Sequence, residues 1–166
     1  MSRYPFAAQP TQLVPPAFFS QTEEPQEHNS LRGRILLVDD DDDLRKLLRA
    51  LLEGDGYQVF SCRDAQRALK VFASRGDIDL LLTDFQMPQM SGLELCQRIA
   101  EAQPELPMLI LSGAVLPEDV RAIIAANRWQ FIEKPCDVPV LLNIIASRLE
   151  SSAAISEAAK TEACVP

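Results

Sequence analysis

The stretch that decides the fold is residues 34–52, which read RILLVDDDDDLRKLLRALL. The apolar run within Arg34–Val38 is typical of a strand that is buried on both faces. The leucines after the acidic run recur at helical spacing, so they predict one apolar stripe of an α-helix. These leucines are Leu44, Leu47, Leu48, Leu51 and Leu52. A buried strand followed at once by an amphipathic helix makes one βα unit.

The same strand-helix unit recurs four more times along the chain. Further strands are predicted at 57–60, 79–83, 107–111 and 129–133, and further helices at 65–72, 92–102, 117–126 and 138–149. Parallel strands that are joined by helices require right-handed crossovers. The sequence therefore predicts an α/β fold, a doubly wound five-stranded parallel sheet with five helices.

Two helix ends have candidate capping residues. The acidic run at residues 39–43 suits the N-terminus of a helix, where carboxylates are favourable, and Asp43 is the predicted N-cap. At the other end of a later helix, Asn127 is the predicted C-cap in the left-handed conformation, which asparagine tolerates. A helix cap is also the simplest alternative to a functional role for the acidic run.

The two ends of the chain have different compositions from the middle. Residues 1–30 contain five of the 12 prolines and show no sustained periodicity, so residues 1–31 are predicted to be a disordered arm. Residues 151–166 are rich in Ala and Ser and hold too little apolar surface for a core. They are predicted to be a tail that extends the preceding helix and then frays. The domain proper is predicted to span residues 32–150.

Charge and cysteine content exclude several functional classes. The net charge of −8 has the wrong sign for binding many phosphates, so nucleic acid is not an expected partner. The four cysteines form no C-x-x-C pair and there is one histidine, which argues against structural zinc. No signal peptide or membrane-spanning stretch is recognisable, so we expect a cytoplasmic protein with reduced thiols and no membrane association.

Polar side chains follow four of the five predicted strands. Asp39 and Asp40 follow the first strand, Asp84 the third, Ser112 the fourth and Lys134 the fifth. In such a sheet, ligands bind outside the carboxyl ends of the strands. Three carboxylates at one edge repel one another unless a cation joins them, and Mg²⁺ suits oxygen ligands. The set predicts a phosphoryl-transfer site with a carboxylate acceptor.

Four segments at these strand ends resemble the receiver domain of two-component response regulators. They read ILLVDDD at 35–41, LLLTDFQMPQMSGLEL at 80–95, LILSGA at 109–114 and FIEKPCD at 131–137. The four occur in the order that the family shows, and the resemblance covers residues 32–150. It implies a flavodoxin-like sheet with the strand order 2-1-3-4-5.

The resemblance also implies which residues bind a metal. Asp84 would be the phosphorylated residue. Asp40, Asp84 and the backbone carbonyl of Gln86 would bind Mg²⁺. Asp39 would hold the ion through water or orient the pair.

Three further residues gain roles from the same resemblance. Ser112 and Lys134 would contact the phosphoryl oxygens, and Phe131 would be the aromatic residue that moves on phosphorylation. An ordinary loop hydroxyl is the alternative for Ser112, and an ordinary core aromatic is the alternative for Phe131.

The implied function is that of a phosphorelay response regulator rather than an enzyme. Such a chain takes a phosphoryl group from a sensor histidine kinase or a histidine phosphotransfer protein. It then signals through a conformational change and contact with a downstream protein. We expect that partner, or a second copy of the chain, to bind the face formed by residues 117–149.

Two other functions remain open from the sequence. A phosphatase of the haloacid-dehalogenase type also phosphorylates an aspartate after a buried strand, but its motif has a second acid two residues later, where this chain has Gln86. The second alternative is a phosphate sink, which accepts the group without any output.

Overall fold

The computed structural model describes the backbone of residues 31–162 and the side chains of residues 31–152. Strands and helices alternate through this part of the chain. They are β1 (Arg34–Val38), α1 (Asp42–Gly54), β2 (Gln58–Cys62), α2 (Ala65–Arg75), β3 (Leu80–Asp84), α3 (Gly92–Ala102), β4 (Met108–Ser112), α4 (Glu118–Ala126), β5 (Gln130–Glu133) and α5 (Val138–Glu162). The predicted disordered arm lies outside the described residues, except for Leu31.

The strands form one sheet in the order β2-β1-β3-β4-β5, and every neighbouring pair is parallel. This confirms the predicted doubly wound α/β fold with flavodoxin-like strand order. The order reverses between β1 and β3, so the chain leaves these two strands in opposite directions. A crevice forms at their carboxyl ends as a result.

Successive residues of the central strands face opposite sides of the sheet, and each side has its own core. On β1, Leu36 and Val38 pack in the core that is shared with α2, α3 and α4. Ile35 and Leu37 pack in the other core, which is shared with α1 and α5. All four side chains are fully buried, which explains why β1 reads as an unbroken apolar run rather than an alternating one.

Three strands extend one or two residues further toward their carboxyl ends than the apolar runs predict. These strands are β2, β3 and β4. The hydrogen-bonded register continues past the apolar residues, since Asp84 pairs with Leu111 and Ser112 pairs with Glu133. Asp84 and Ser112 are therefore part of the sheet, which gives them fixed backbone positions.

The predicted N-cap of α1 is wrong by two residues. Asp41 caps the helix: its side chain accepts hydrogen bonds from the backbone N–H groups of Asp43 (2.9 Å) and Leu44 (3.0 Å). Asp43 lies in the first turn instead. The apolar stripe begins at Leu44, but the helical backbone begins half a turn earlier, at Asp42. A prediction based on the stripe therefore places the start of the helix too late.

Asn127 is the C-cap of α4 as predicted, but the left-handed conformation predicted for it is wrong. Asn127 has a φ of −90°, and the left-handed residue is Arg128, with a φ of 58°. Asn127 caps α4 through its side chain, which donates to the backbone carbonyl of Ile123 at 2.8 Å. The short amide satisfies a terminal carbonyl directly, so the change of backbone direction falls one residue later.

Helix α5 continues through Glu162, into the stretch for which an extension of the preceding helix was predicted. In the part of the chain that the structure describes, no helix has the length and apolar character needed to cross a membrane.

Candidate functional site

The carboxyl ends of four neighbouring strands meet at one edge of the sheet. Val38 of β1 pairs with Thr83 of β3, so Asp39 and Asp84 come out side by side. On the other side of β3, Ser112 of β4 pairs with Glu133 of β5, which brings Lys134 to the same edge. The fold thus gathers residues that are far apart in sequence.

Lys134 joins two buried carboxylates. Its Nζ donates to Oδ1 of Asp84 at 2.6 Å and to Oδ2 of Asp39 at 3.1 Å. The exposed fraction is 1% for Asp39 and 8% for Asp84. Buried carboxylates are costly without a charge partner, and here one ammonium serves both. The cluster therefore keeps a net negative charge.

The backbone around Lys134 is tied to the neighbouring strand. The Lys134 N–H donates to the carbonyl of Ser112 at 2.8 Å, and the following peptide bond to Pro135 is cis. The hydrogen bond to Ser112 holds Lys134 beside β4, and its side chain reaches from there to Asp84 at the end of β3 and to Asp39 after β1.

The pKa values of two of these groups depart from their ordinary values. Burial raises the pKa of Asp39, and the hydrogen bonds from Asp41 and Lys134 only partly oppose it. Burial also acts to lower the pKa of Lys134. The hydrogen bonds to Asp84 and Asp39 outweigh burial, so the pKa of Lys134 is raised and the group stays charged. Burial therefore disfavours the charged form of Asp39.

Asp84 is held from three sides. Its Oδ2 accepts from the Gln86 N–H at 2.7 Å, and its backbone carbonyl accepts from the Thr83 hydroxyl at 3.0 Å. The start of α3 packs against that same carbonyl, because a Cβ atom at Gly92 would overlap it and would lie 3.1 Å from Cγ2 of Thr83. Only a glycine lets α3 approach β3 this closely.

Ser112 is buried at the end of β4, but its hydroxyl does not face the carboxylates. It donates to the carbonyl of Ala114 and accepts from the Ala114 N–H, both at 3.1 Å. Phe131 is half-buried on β5 and packs against the core that includes Ile124 and Trp129. The structure brings together Asp39, Asp84 and Lys134, and leaves the other two beside this cluster.

Asp40 and Gln86 are exposed at the rim of the crevice. Among the residues with described side chains, no three carboxylate, thiol or imidazole groups form a cluster that could hold a metal ion alone. Asp40 is therefore not gathered with Asp39 and Asp84 in this arrangement. A cation here would need backbone or water oxygens as well.

Gly92 and Arg45 contact this edge although no sequence motif assigned them a role. Arg45 donates from Nη1 to the backbone carbonyl of Asp39 at 2.7 Å. Arg45 is the first cation after five consecutive aspartates, which is the one signal that could have drawn attention to it. For Gly92 the signal is the Ser91-Gly92 pair at a helix start directly after the acceptor segment.

The close approach at Gly92 predicts a loss of stability on substitution. The Gly92→Ala variant should have a free energy of unfolding lower by about 1–3 kcal/mol, because the new methyl group overlaps the Asp84 carbonyl. Gly54→Ala is the control, since a Cβ atom there meets nothing within 4 Å. Urea unfolding of both variants measures the difference. Equal stability of the two variants would contradict the packing described here.

The raised pKa of Asp39 predicts how stability depends on pH. A raised pKa means that the folded state holds the proton more tightly than the unfolded chain. Asp39 therefore contributes stability that is fully present when the pH is below its ordinary pKa of 3.8. This contribution is lost as the pH rises through the raised pKa of the folded state. Wild type should lose stability relative to Asp39→Asn as the pH rises from about 4 toward 7. Urea unfolding across that range measures this difference.

Asp41 provides the control for that prediction because its pKa moves the other way. Hydrogen bonds from the N–H groups of Leu44 and Asp43 lower the pKa of Asp41. Its contribution to stability is therefore lost only as the pH falls through that lowered value, below the window for Asp39. If the difference in free energy of unfolding between wild type and Asp39→Asn is constant from pH 4 to 7, then burial of the charged Asp39 does not destabilise the fold.

The part of the chain that forms this site is similar in sequence to known proteins. A family model for the response regulator receiver domain matches residues 35–146. The transcriptional regulatory protein GlrR of Escherichia coli (strain K12) is 34% identical over 133 residues, which cover 80% of this chain and 30% of that protein. The CAI-1 autoinducer sensor kinase/phosphatase CqsS of Vibrio cholerae is 36% identical over 117 residues, which cover 69% of this chain and 17% of that protein.

This chain thus spans less than a third of the length of these two relatives. A solved structure that is similar over nearly its whole length is the signal receiver domain of an HD domain-containing protein from Pseudomonas fluorescens Pf-5. It has a TM-score of 0.68 and 31% identity, and the match covers 77% of this chain and 94% of that one. Because the family match runs from the first strand into the last helix and includes Asp39, Asp84 and Lys134, this chain belongs to the response regulator receiver domain family.

Proposed function

We propose that Asp84 accepts a phosphoryl group from the phosphohistidine of a sensor histidine kinase or a histidine phosphotransfer protein. The observation that carries this proposal is the 2.6 Å contact between Lys134 Nζ and Asp84 Oδ1 at the carboxyl edge of a receiver-family sheet. A cation beside a carboxylate nucleophile is also well placed for the oxygens of an incoming phosphoryl group.

The proposed transfer uses groups at this edge. A carboxylate oxygen of Asp84 forms a bond to phosphorus while the bond from phosphorus to the imidazole nitrogen breaks. The imidazole keeps the electron pair and takes up a proton. The acyl phosphate then adds negative charge next to Asp39, and Lys134 offsets part of it. The Ser112 hydroxyl can leave Ala114 and donate to a phosphoryl oxygen.

A divalent cation fits the charge of this cluster. Receiver domains are generally Mg²⁺-dependent. Asp39 and Asp84 together carry one more negative charge than Lys134 offsets, and burial raises the pKa of Asp39. We propose that Asp84, Asp40 and the Gln86 backbone carbonyl bind Mg²⁺, that Asp39 holds the ion through water or orients the pair, and that waters complete the shell. The ion would supply positive charge for the phosphoryl oxygens.

Incubation with a small acyl-phosphate donor and Mg²⁺ tests the proposed function against the phosphatase alternative. A phosphoacceptor takes up at most one phosphoryl group per chain. A phosphatase of the haloacid-dehalogenase type releases phosphate from a phosphomonoester over many turnovers, for which it needs a general acid. The amide of Gln86, two residues after Asp84, cannot supply that proton. Many turnovers on a phosphomonoester would contradict the proposed function.

We also propose that residues 32–150 suffice for this reaction and that residues 1–31 are dispensable. The proposed setting is the cytoplasm. The proposed output is contact with a downstream protein, or with a second copy of this chain, through residues 117–149, which we call the output face.

Two observations support this output face. Phe131 of β5 is only half-buried and packs at the margin of the core rather than inside it. Val115 and Val140 are apolar side chains at or beside this face, with exposed fractions of 83% and 51%. If a phosphoryl group on Asp84 draws Ser112 away from Ala114, space opens behind β4 that Phe131 can fill. The change would spread over α4, β5 and α5.

Hydrogen exchange with and without a phosphoryl mimic checks the output face. Amides of residues 117–149 should change protection, because phosphorylation biases an existing equilibrium between two arrangements. Amides of α2 should keep theirs, since this helix lies near the other edge of the sheet. Changes restricted to residues 57–75 would contradict the proposed output face.

A further inference from the structure

The loop between β1 and α1 carries two of the three acidic residues that we propose for the cation. In this loop, every polar backbone atom of Asp39 makes a hydrogen bond. The Asp39 N–H donates to the Cys62 carbonyl on β2 at 3.2 Å. Its backbone carbonyl accepts from Arg45 at 2.7 Å. Its Oδ1 accepts from the Asp41 N–H at 2.9 Å. With Lys134 on Oδ2, the orientation of Asp39 is over-determined.

Arg45 differs from Arg49, the other arginine of α1. Its side chain is only 13% exposed, and its two terminal nitrogens reach two anchors, the Asp39 carbonyl and the Asp42 carboxylate. Arg49, one turn later, pairs only with Glu53 and is 52% exposed. A guanidinium presents its donors in a rigid fork, so it can fix two groups relative to each other. An ammonium can also bridge two groups, but it lacks this planar fork and sets their relative orientation less strictly.

The carbonyl that Arg45 binds belongs to the peptide plane between Asp39 and Asp40. A peptide unit is planar, so its carbonyl oxygen, the next nitrogen and the next Cα move together. Holding the carbonyl of Asp39 therefore fixes the direction in which Asp40 leaves the loop. That direction separates the two acids: Asp39 points into the crevice and is 1% exposed, and Asp40 stays at the rim.

We infer that Arg45 is a positioning residue that orients Asp40 for the divalent cation by fixing this peptide plane. The inference rests on the proposed function, because it assumes that a cation binds at the carboxyl edge. Arg45 also places positive charge against the aspartates at 39–43, and its hydrogen bond lowers the pKa of Asp42. A lysine at position 45 would keep the positive charge, but it would no longer fix the peptide plane between Asp39 and Asp40.

The test compares Arg45→Lys with Arg49→Lys, which makes the same chemical change one turn along α1. Mg²⁺ titration followed by NMR shifts of the amides of residues 39–41 should show a half-saturating concentration roughly tenfold higher in Arg45→Lys. Arg49→Lys should match wild type. Asp42→Asn, which removes one anchor of the fork, should move the value in the same direction by less. The phosphorylation rate at saturating Mg²⁺ should stay at the wild-type level in the control, Arg49→Lys.

A second readout does not depend on metal binding. In the metal-free protein, the Asp41 N–H should exchange faster in Arg45→Lys than in wild type, because the loop that positions its acceptor is released. Unchanged Mg²⁺ affinity in Arg45→Lys, or an equal loss in Arg49→Lys, would overturn the inference. If wild type itself shows no response to Mg²⁺, the proposed cation site fails and the inference about Arg45 fails with it. If wild type binds Mg²⁺ but takes up no phosphoryl group, that result contradicts the proposed function but not the role of Arg45.

Discussion

The Asp84→Asn variant is expected to incorporate no acid-labile phosphate from a small acyl-phosphate donor, whereas wild type takes up close to one group per chain. An amide is not a nucleophile at neutral pH, so the proposed bond to phosphorus cannot form. The fold should survive, because the oxygen of the new amide can still accept from the Gln86 N–H. The change also removes one of two buried negative charges that face a single lysine. Stability should therefore equal or exceed that of wild type.

Scintillation counting of labelled phosphate after gel filtration measures the incorporation. Asp119→Asn is the matched control, since Asp119 is an exposed aspartate in the first turn of α4. Full incorporation in Asp84→Asn would move the acceptor to another residue. Loss of incorporation in both variants would point to a general defect rather than to the acceptor.

The Lys134→Ala variant should have the second largest effect, which is the separation of phosphorylation from the structural response. Without the ammonium, Asp39 and Asp84 face each other with no cation in contact. The metal-free protein should lose about 1–3 kcal/mol of stability, and Mg²⁺ should restore part of it. The acyl phosphate that still forms should not shift α4 and β5, because the charge that links Asp84 to β5 is missing.

NMR shifts of the amides in α4 and β5, recorded with and without the phosphoryl donor, check this expectation. Lys70→Ala is the control, since Lys70 is an exposed lysine on α2. A wild-type shift pattern in phosphorylated Lys134→Ala would show that the signal does not pass through this lysine.

The order of strands and helices follows from residues that can be recognised without a structure. The apolar run at residues 35–38 and the leucine stripe from Leu44 to Leu52 predict a buried strand and a one-sided helix, and both were found. The predicted ends of the strands were less accurate where polar residues continue the hydrogen bonding between strands. Asp84 and Ser112 belong to their strands by hydrogen bonding, which hydropathy does not detect.

The candidate site was predictable as a set of strand-end residues but not as a set of contacts. Asp39 and Asp40 are chemically identical neighbours, yet one is buried beside Lys134 and the other is exposed. What separates them is the direction of the peptide plane between them, whose carbonyl accepts a hydrogen bond from Arg45 of α1. The Ser112 hydroxyl likewise turns to Ala114 because a local turn offers both a donor and an acceptor. Such choices depend on three-dimensional neighbours and leave no periodic pattern in the sequence.

The central claim is that Asp84 itself carries the phosphoryl group, and chemical trapping tests it most directly. Wild-type protein is phosphorylated with a small acyl-phosphate donor in Mg²⁺ and then reduced with borohydride, which converts a phosphorylated aspartate to homoserine. Mass spectrometry of the peptides then locates the modified residue. The account predicts homoserine at position 84 and at none of the aspartates at 39–43. Homoserine at one of those five positions, with Asp84 unchanged, would contradict it.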